Sequence, residues 1–422
     1  MAAPVKFAPE VSALTEILQS RGIADTLQWF SREKKWINER HLELCRIPAP
    51  TFHEQKRAEW MLALLRSLGW NARIDRTGNV VAQLTERRDG PLIALTAHLD
   101  TVLSPRLPED VSPQPDGAIR GPGVSDNGAG LSALIAIARA ISMQPDLHSM
   151  CRPLLLVANV GEEGEGNLSG MRYLCRQSGT GSRIASFLVL DGPNTDHITS
   201  QALASRRFEI LVSGPGGHSW SDYGTANPVH ALSRAIAMFT DQPIADQRPR
   251  SSYNFGILEG GSGINSIPTQ ARAKLDIRSE SAARMDEIAA FLTQCVERAL
   301  ETENERAASG RVTAKIREIG TRPGGGLADD APLLGYLRAV DSHLGIRATL
   351  DCASTDANIP LSLGIPAVSI GAGGQGGGAH TPQEWFHPDG RELGLKRILL
   401  TLMLLLRDLE VAPVREPARN GG

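Results

Sequence analysis

Several acids and two histidines of this 422-residue chain stand where they could do chemistry together. His98 and Asp100 follow the apolar run Leu92–Ala97, and Glu162 and Glu163 follow Leu154–Val160. Asp191 follows Phe187–Leu190, and His380 follows Ala367–Ile370 after the glycine-rich stretch GAGGQGGGA. Asp126 sits in another glycine-rich turn, GPGVSDNGAG. Two imidazoles and several carboxylates, with no cysteine among them, suit a divalent ion such as zinc, cobalt or manganese. His98, Asp126, Glu163, Asp191 and His380 outnumber the three protein ligands of a single catalytic zinc. If one carboxylate bridges, the five serve two ions, as in two-metal hydrolytic sites. Such ions polarise a carbonyl and acidify a water, whose proton needs a base; Glu162 and Glu163 are the candidates. Asp100, two residues after His98, is placed to orient its imidazole.

The elements that must position these groups read as an α/β sheet. Buried-looking runs at Val80–Leu84, Leu92–Ala97, Leu154–Val160, Phe187–Leu190 and Ala367–Ile370 alternate with helical stretches, the pattern of parallel strands covered on both faces. Ligands bind at the carboxyl ends of such strands. Residues 10–68 are helical in pattern, broken at Ile47-Pro48-Ala49-Pro50. Thr51 and Glu54 have the spacing of a capping box opening the next helix. Between 202 and 320 the order becomes strand, helix, two strands, helix, strand, a ferredoxin-like βαββαβ unit. The expected organisation is therefore a catalytic α/β domain with a mostly parallel sheet, in two parts (1–201 and 321–422), interrupted by a smaller α+β domain at 202–320.

HLD at 98–100, SDNG at 125–128, GEEGEG at 161–166, LDGP at 190–193 and GGGAHTPQE at 376–384 together resemble the M20 metallopeptidases, nearest in motif to tripeptidase-T-like members. The family also holds glutamate carboxypeptidases, aminoacylases and deacylases of acetylornithine and succinyl-diaminopimelate. The resemblance implies a di-metal aminopeptidase-like domain with a lid or dimerisation domain inserted at 202–320. It implies that His98, Asp126 and Asp191 hold one ion and Asp126, Glu163 and His380 the other. Glu162 becomes the general base, and the Asp126–Asn127 peptide bond is expected to be cis. SGPGGHSW at 213–220 resembles the lid motif whose histidine reaches a neighbouring subunit's site as oxyanion donor, here His218. GGSGINSIP and KLDIRS match the paired asparagine and arginine that bind a substrate carboxylate or main chain, here Asn265 and Arg278. Ser354-Thr355-Asp356-Ala357-Asn358 resembles a stretch of the tripeptidase-T-like members, with no role assigned to it.

The implied function is hydrolysis of an amide bond in a small peptide by a di- or tripeptidase-like exopeptidase holding two divalent ions, zinc first, cobalt or manganese next. The alternative is an N-acyl-amino-acid deacylase with the same mechanism. A silent binding or scaffold relative is the reading from another class, and the presence of all five ligands and Glu162 weighs against it. A homodimer through 202–320 follows from the same resemblance.

Other classes are excluded by composition. With 44 basic and 47 acidic residues the net charge is −3, which gives no reason to expect nucleic acid or an anionic membrane as partner. Five scattered cysteines without CxxC argue against a disulfide framework and suit the cytoplasm. The N-terminus has no secretory pattern, and Leu131–Ile141 is about half the ~20 residues of a membrane span. The glycine clusters fit no nucleotide motif: GPGVSD has Asp126 where GxGxxG needs glycine, and no GK[ST] follows GAGGQGGG. The remaining histidines, His41 among them, are expected to be surface or core-edge residues.

Overall fold

A computed structural model describes residues 9–85, 89–176, 180–241 and 249–411. The chain divides into one unit from 1–201 with 326–422 and a second from 202–325, so the later junction falls five residues beyond the expected 320.

In the first unit, strands Leu154–Asn159, Leu92–His98, Ile184–Leu190 and Ala367–Ile370 lie side by side and parallel. Their residues are almost all buried, which explains the near-continuous Leu, Val, Ile and Ala runs. Val80–Gln83 and Asn71–Ile74 extend this sheet antiparallel on one side, and His197–Ala202 does so on the other. The helix Gly128–Ser142 is buried along nearly all its length, and the Leu-rich middle of Arg391–Val411 shares its core cluster. The four parallel strands all end at the same edge, and that edge delivers the acids and histidines.

The second unit has a four-stranded antiparallel sheet in the order Ser251–Gly260, Gln270–Ser279, Ala204–Ser213, Thr313–Arg322. Helices Pro228–Thr240 and Ala282–Arg306 complete the βαββαβ order. Alternation along Gln270–Ser279 sends Ala271, Ala273, Leu275 and Ile277 into a core with Phe208, Ile210, Phe239, Leu292 and Val296. Arg272, Glu209, Glu259 and Arg317 form an ion-pair ladder in the same sheet.

One local expectation fails. The helix after the proline break runs Gln55–Ser67 with Glu54 at its N-cap position and no side-chain cap. Thr51 and Glu54 do not form a capping box: the Thr51 hydroxyl donates to Asp100, and Glu54 accepts the N–H groups of Phe52 and Gly161. Both side chains serve the strand edge instead of the helix end.

Candidate active site

His98 closes its strand with an almost fully buried ring. Its Nδ1 lies 3.0 Å from the backbone carbonyl of Asp100, and a proton placed there makes this a donated hydrogen bond. That tautomer aims the Nε2 lone pair at Asp126 Oδ1, 3.1 Å away, and Asp191 Oδ1, 3.7 Å away. Lone pair then faces lone pairs. Asp126 Oδ1 is also shut off from solvent with no hydrogen-bond partner. Asp126 Oδ2 lies 3.1 Å from His380 Nε2, which is in turn 2.9 Å from Glu163 Oε1.

The potential ligand atoms fall into three groups, His98–Asp126–Asp191, Asp126–Glu163–His380 and His98–Glu162–Glu163, each with its atoms within 4.8 Å of one another. Asp126 belongs to the first two. A nitrogen and carboxylate-oxygen donor set with an orphaned buried oxygen at its centre fits divalent cations of the zinc, cobalt or manganese type.

Without a cation, protons would take its place. Burial disfavours charge on His98, but Asp100, Asp126 and Asp191 around the ring outweigh it and raise its pKa well above the usual value. The partners Asp126 and Glu163 push His380 up to about 10. Burial opposes ionisation of Asp126, yet His380 and His98 hold its carboxyl well below the usual range.

Asp100 stands against the His98 ring, as expected of a residue that orients it, but mainly through its backbone. Its carbonyl, not its carboxylate, is the nearer partner of the His98 ring, with Oδ1 at 3.6 Å. The carboxylate accepts the N–H of Glu162 at 3.0 Å, the N–H of Glu163 at 2.9 Å and the Thr51 hydroxyl at 3.0 Å. One aspartate therefore orients the histidine at one strand end and the two glutamates at the next. Upstream, Gly161 N–H goes to Glu54 and Val160 N–H to Asn79.

Asp126 rides on a loop that is fastened from several sides. Its peptide bond to Asn127 is cis. Asn127 Oδ1 caps the following helix at Gly130, and Asn127 Nδ2 donates to the Leu190 carbonyl just before Asp191. Glu384, 2% exposed, accepts the N–H groups of Gly123, Ser125 and Asp126 at 2.7–2.8 Å. His41 lies 2.8 Å from the Val124 carbonyl through Nε2, with the Arg391 guanidinium on its Nδ1. Gly123 has φ +74°, and a Cβ there would stand 2.5 Å from the Thr101 side chain, so only glycine fits. Glu384, His41, Thr51, Glu54 and Asn79 are the supporting residues that sequence reasoning missed. The HTPQE run held Glu384, but nothing local marked it as an acceptor.

His218 and Asn265 lie in the second unit, brought together by the antiparallel pairing of Gly217–His218 with Ser266–Ile267 and by the Ser219 N–H on the Asn265 carbonyl. His218 Nδ1 accepts the N–H groups of Trp220 and Ser221, which leaves the ring proton on Nε2 of an exposed side chain. Arg278 is elsewhere: it lies eight residues along its strand from Gln270, about 26 Å at ~3.3 Å per residue. Its guanidinium pairs with Asp276 at 2.8 Å.

Residues 94–403 match the model of Peptidase family M20/M25/M40. Succinyl-diaminopimelate desuccinylase of Bradyrhizobium sp. (strain ORS 278) is 24% identical over 220 residues, 49% of this chain and 57% of that one. The chain thus spans little more than half the length of that relative. Among solved structures, a tripeptidase from Staphylococcus aureus superposes with a TM-score of 0.71 at 19% identity, covering 89% of this chain and 99% of its own. A protein of Bacillus subtilis described as a dinuclear metal binding peptidase superposes with a TM-score of 0.62 at 15% identity, covering 89% and 99%. At these identities the superpositions speak for the fold. Among the described residues no helix is long and apolar enough to cross a membrane.

Proposed function

This chain belongs to peptidase family M20/M25/M40, and on that premise we propose that it hydrolyses an amide bond in a small peptide, as an exopeptidase of di- or tripeptides. The observation that carries the reading is the sharing of Asp126 between the His98–Asp126–Asp191 and Asp126–Glu163–His380 groups. These five residues would hold two divalent ions, zinc first and cobalt or manganese next. When bound, such ions polarise the scissile carbonyl and acidify a water. Glu162, fixed through its N–H by Asp100, takes the proton of the attacking water and hands it to the leaving amine. Asp100 holds His98 in the tautomer that leaves Nε2 free to bind.

His218, with its outward Nε2–H, is assigned to stabilise the oxyanion of the tetrahedral intermediate, and Asn265 and Arg278 to bind the substrate's carboxylate or main chain. Asn265 lies in the turn before Ser266–Ile267, whereas Arg278 is near the far end of the strand Gln270–Ser279 that follows, an arrangement ill suited to gripping one small substrate from a single chain. This supports a homodimer through the second unit, in which one copy supplies His218 and Asn265 and the other Arg278. A cytoplasmic setting belongs to the same reading, since Cys45, Cys151, Cys175 and Cys295 are buried free thiols.

The preference for peptides draws on the resemblance of Ser354–Asn358 to tripeptidase-T-like members and on the tripeptidase among the fold neighbours. The desuccinylase relative favours N-acyl-amino-acid deacylation as the second reading. A panel of di- and tripeptides against N-acetyl and N-succinyl amino acids, with metal per chain measured before and after chelation, separates the two. Turnover of peptides that is lost on chelation and returns with zinc is expected. Exclusive turnover of the acyl amino acids would replace the first reading with the second.

A further inference from the structure

The stretch Ser354–Asn358 has no part in the chemistry above, yet it carries a carboxyl group that is 1% exposed. Asp356 Oδ2 accepts a 2.7 Å hydrogen bond from Nδ2 of Asn159, which is fully buried. Each side chain then has one oxygen to spare. Asp356 Oδ1 and Asn159 Oδ1 are both shielded from solvent, and neither has a hydrogen-bond partner. Asn159 ends the strand Leu154–Asn159 opposite His98 in parallel register, so the two side chains leave the sheet on the same face. Glu162 and Glu163 follow three and four residues later.

Two orphaned acceptors on one facing pair are a costly arrangement for ionised aspartate. Turning the amide over would not help, because its oxygen would then confront Asp356 Oδ2. A single proton on the carboxyl cures both. The amide N–H donates to one carboxyl oxygen, and the acid O–H donates back to the amide oxygen. The charge count points the same way. Asp100, Asp126, Glu162, Glu163 and Asp191 already place five carboxylates at the site, against four positive charges from two divalent ions. A sixth ionised carboxylate would be buried without a counter-charge. Burial pushes the Asp356 carboxyl up to about 7; His98 and Asn159 oppose this, while Asp191 and Asp100 add to it.

We propose that Asp356 is held as a neutral carboxylic acid on the acid side of neutrality, closed with Asn159 into a two-bond acid–amide pair. The pair is a positioning device: it ties the segment leading into the helix Asn358–Ser362 to the strand end beside His98, from which Glu162 and Glu163 emerge. Its consequence for turnover rests on the hydrolase reading; its proton does not.

The test compares infrared spectra of the wild type and Asp356→Asn, both loaded with zinc. The wild type should show a protonated-carboxyl C=O band that the variant lacks. An asparagine can both donate to Asn159 Oδ1 and accept from Nδ2, so Asp356→Asn should keep two ions per chain and its kcat and KM on a tripeptide. Asp356→Ala should bind zinc about 10–100-fold more weakly. Absence of an Asp356-dependent band, or an Asp356→Asn variant as impaired as Asp356→Ala, would overturn the assignment. Should the alanine variant fail to fold, the band and the asparagine variant still decide. If the wild type turns over no peptide, the hydrolase reading fails while the infrared and zinc-binding results stand.

Discussion

Glu384 accepts the backbone N–H of Asp126 at 2.8 Å. The same oxygen takes the N–H of Ser125, and the other oxygen takes that of Gly123. The segment that supplies His380 thus also holds the loop that supplies Asp126. In Glu384→Gln an amide NH2 must face one of these N–H groups. A loss of about 1–3 kcal/mol in denaturant unfolding is expected, with weaker zinc binding. An unchanged unfolding midpoint would show that the loop stands without this acceptor.

For Glu162→Gln the expected loss of turnover is ~10²–10⁴-fold, the size of a missing general base. Zinc per chain should stay the same, because the two groups that share Asp126 do not include Glu162. A variant as active as the wild type would remove Glu162 from the role.

In metal-free protein the raised pKa of His380 links stability to pH. Its protonated ring is favoured in the folded chain by Asp126 and Glu163. That contribution is complete below the unfolded value of 6.5 and vanishes as the pH climbs through about 10. The melting temperature of chelated protein should therefore fall across this window, and zinc uptake should release protons within it. A flat profile in chelator would mean that His380 gains nothing from its neighbours.

Complementation tests whether the site is shared between copies. His218→Ala and Glu162→Gln should each be nearly inactive. Unfolded together and refolded as a mixture, they should recover turnover, because some dimers would carry one intact site. No recovery, from a mixture shown to form heterodimers, would confine His218 to its own chain.

His98, Glu163, Asp191 and His380 could be picked out as a group because each comes after one of four buried parallel strands that end at one edge, and Asp126 because it interrupts a glycine-rich turn. The second unit was legible from its element order, with boundaries a few residues short; Arg207–Val212, for example, is the middle of Ala204–Ser213. The supporting residues were not legible, for a reason of distance. Glu384 meets donors 258 to 261 residues away, and no periodicity marks such an acceptor. Thr51 and Glu54 misled because capping-box spacing is a local signal, and two buried strand ends outcompeted the helix for the same oxygens. Asp100 kept its expected neighbour but reached it through its carbonyl.

Residues 160–163 belong to no strand or helix. Each of their four N–H groups is nevertheless engaged, by Asn79, Glu54 and both oxygens of Asp100. Amide hydrogen exchange should therefore find in this loop the slow protons of a sheet interior. Because three separate side chains hold the four, partial opening frees little; the segment should exchange as one block or hardly at all.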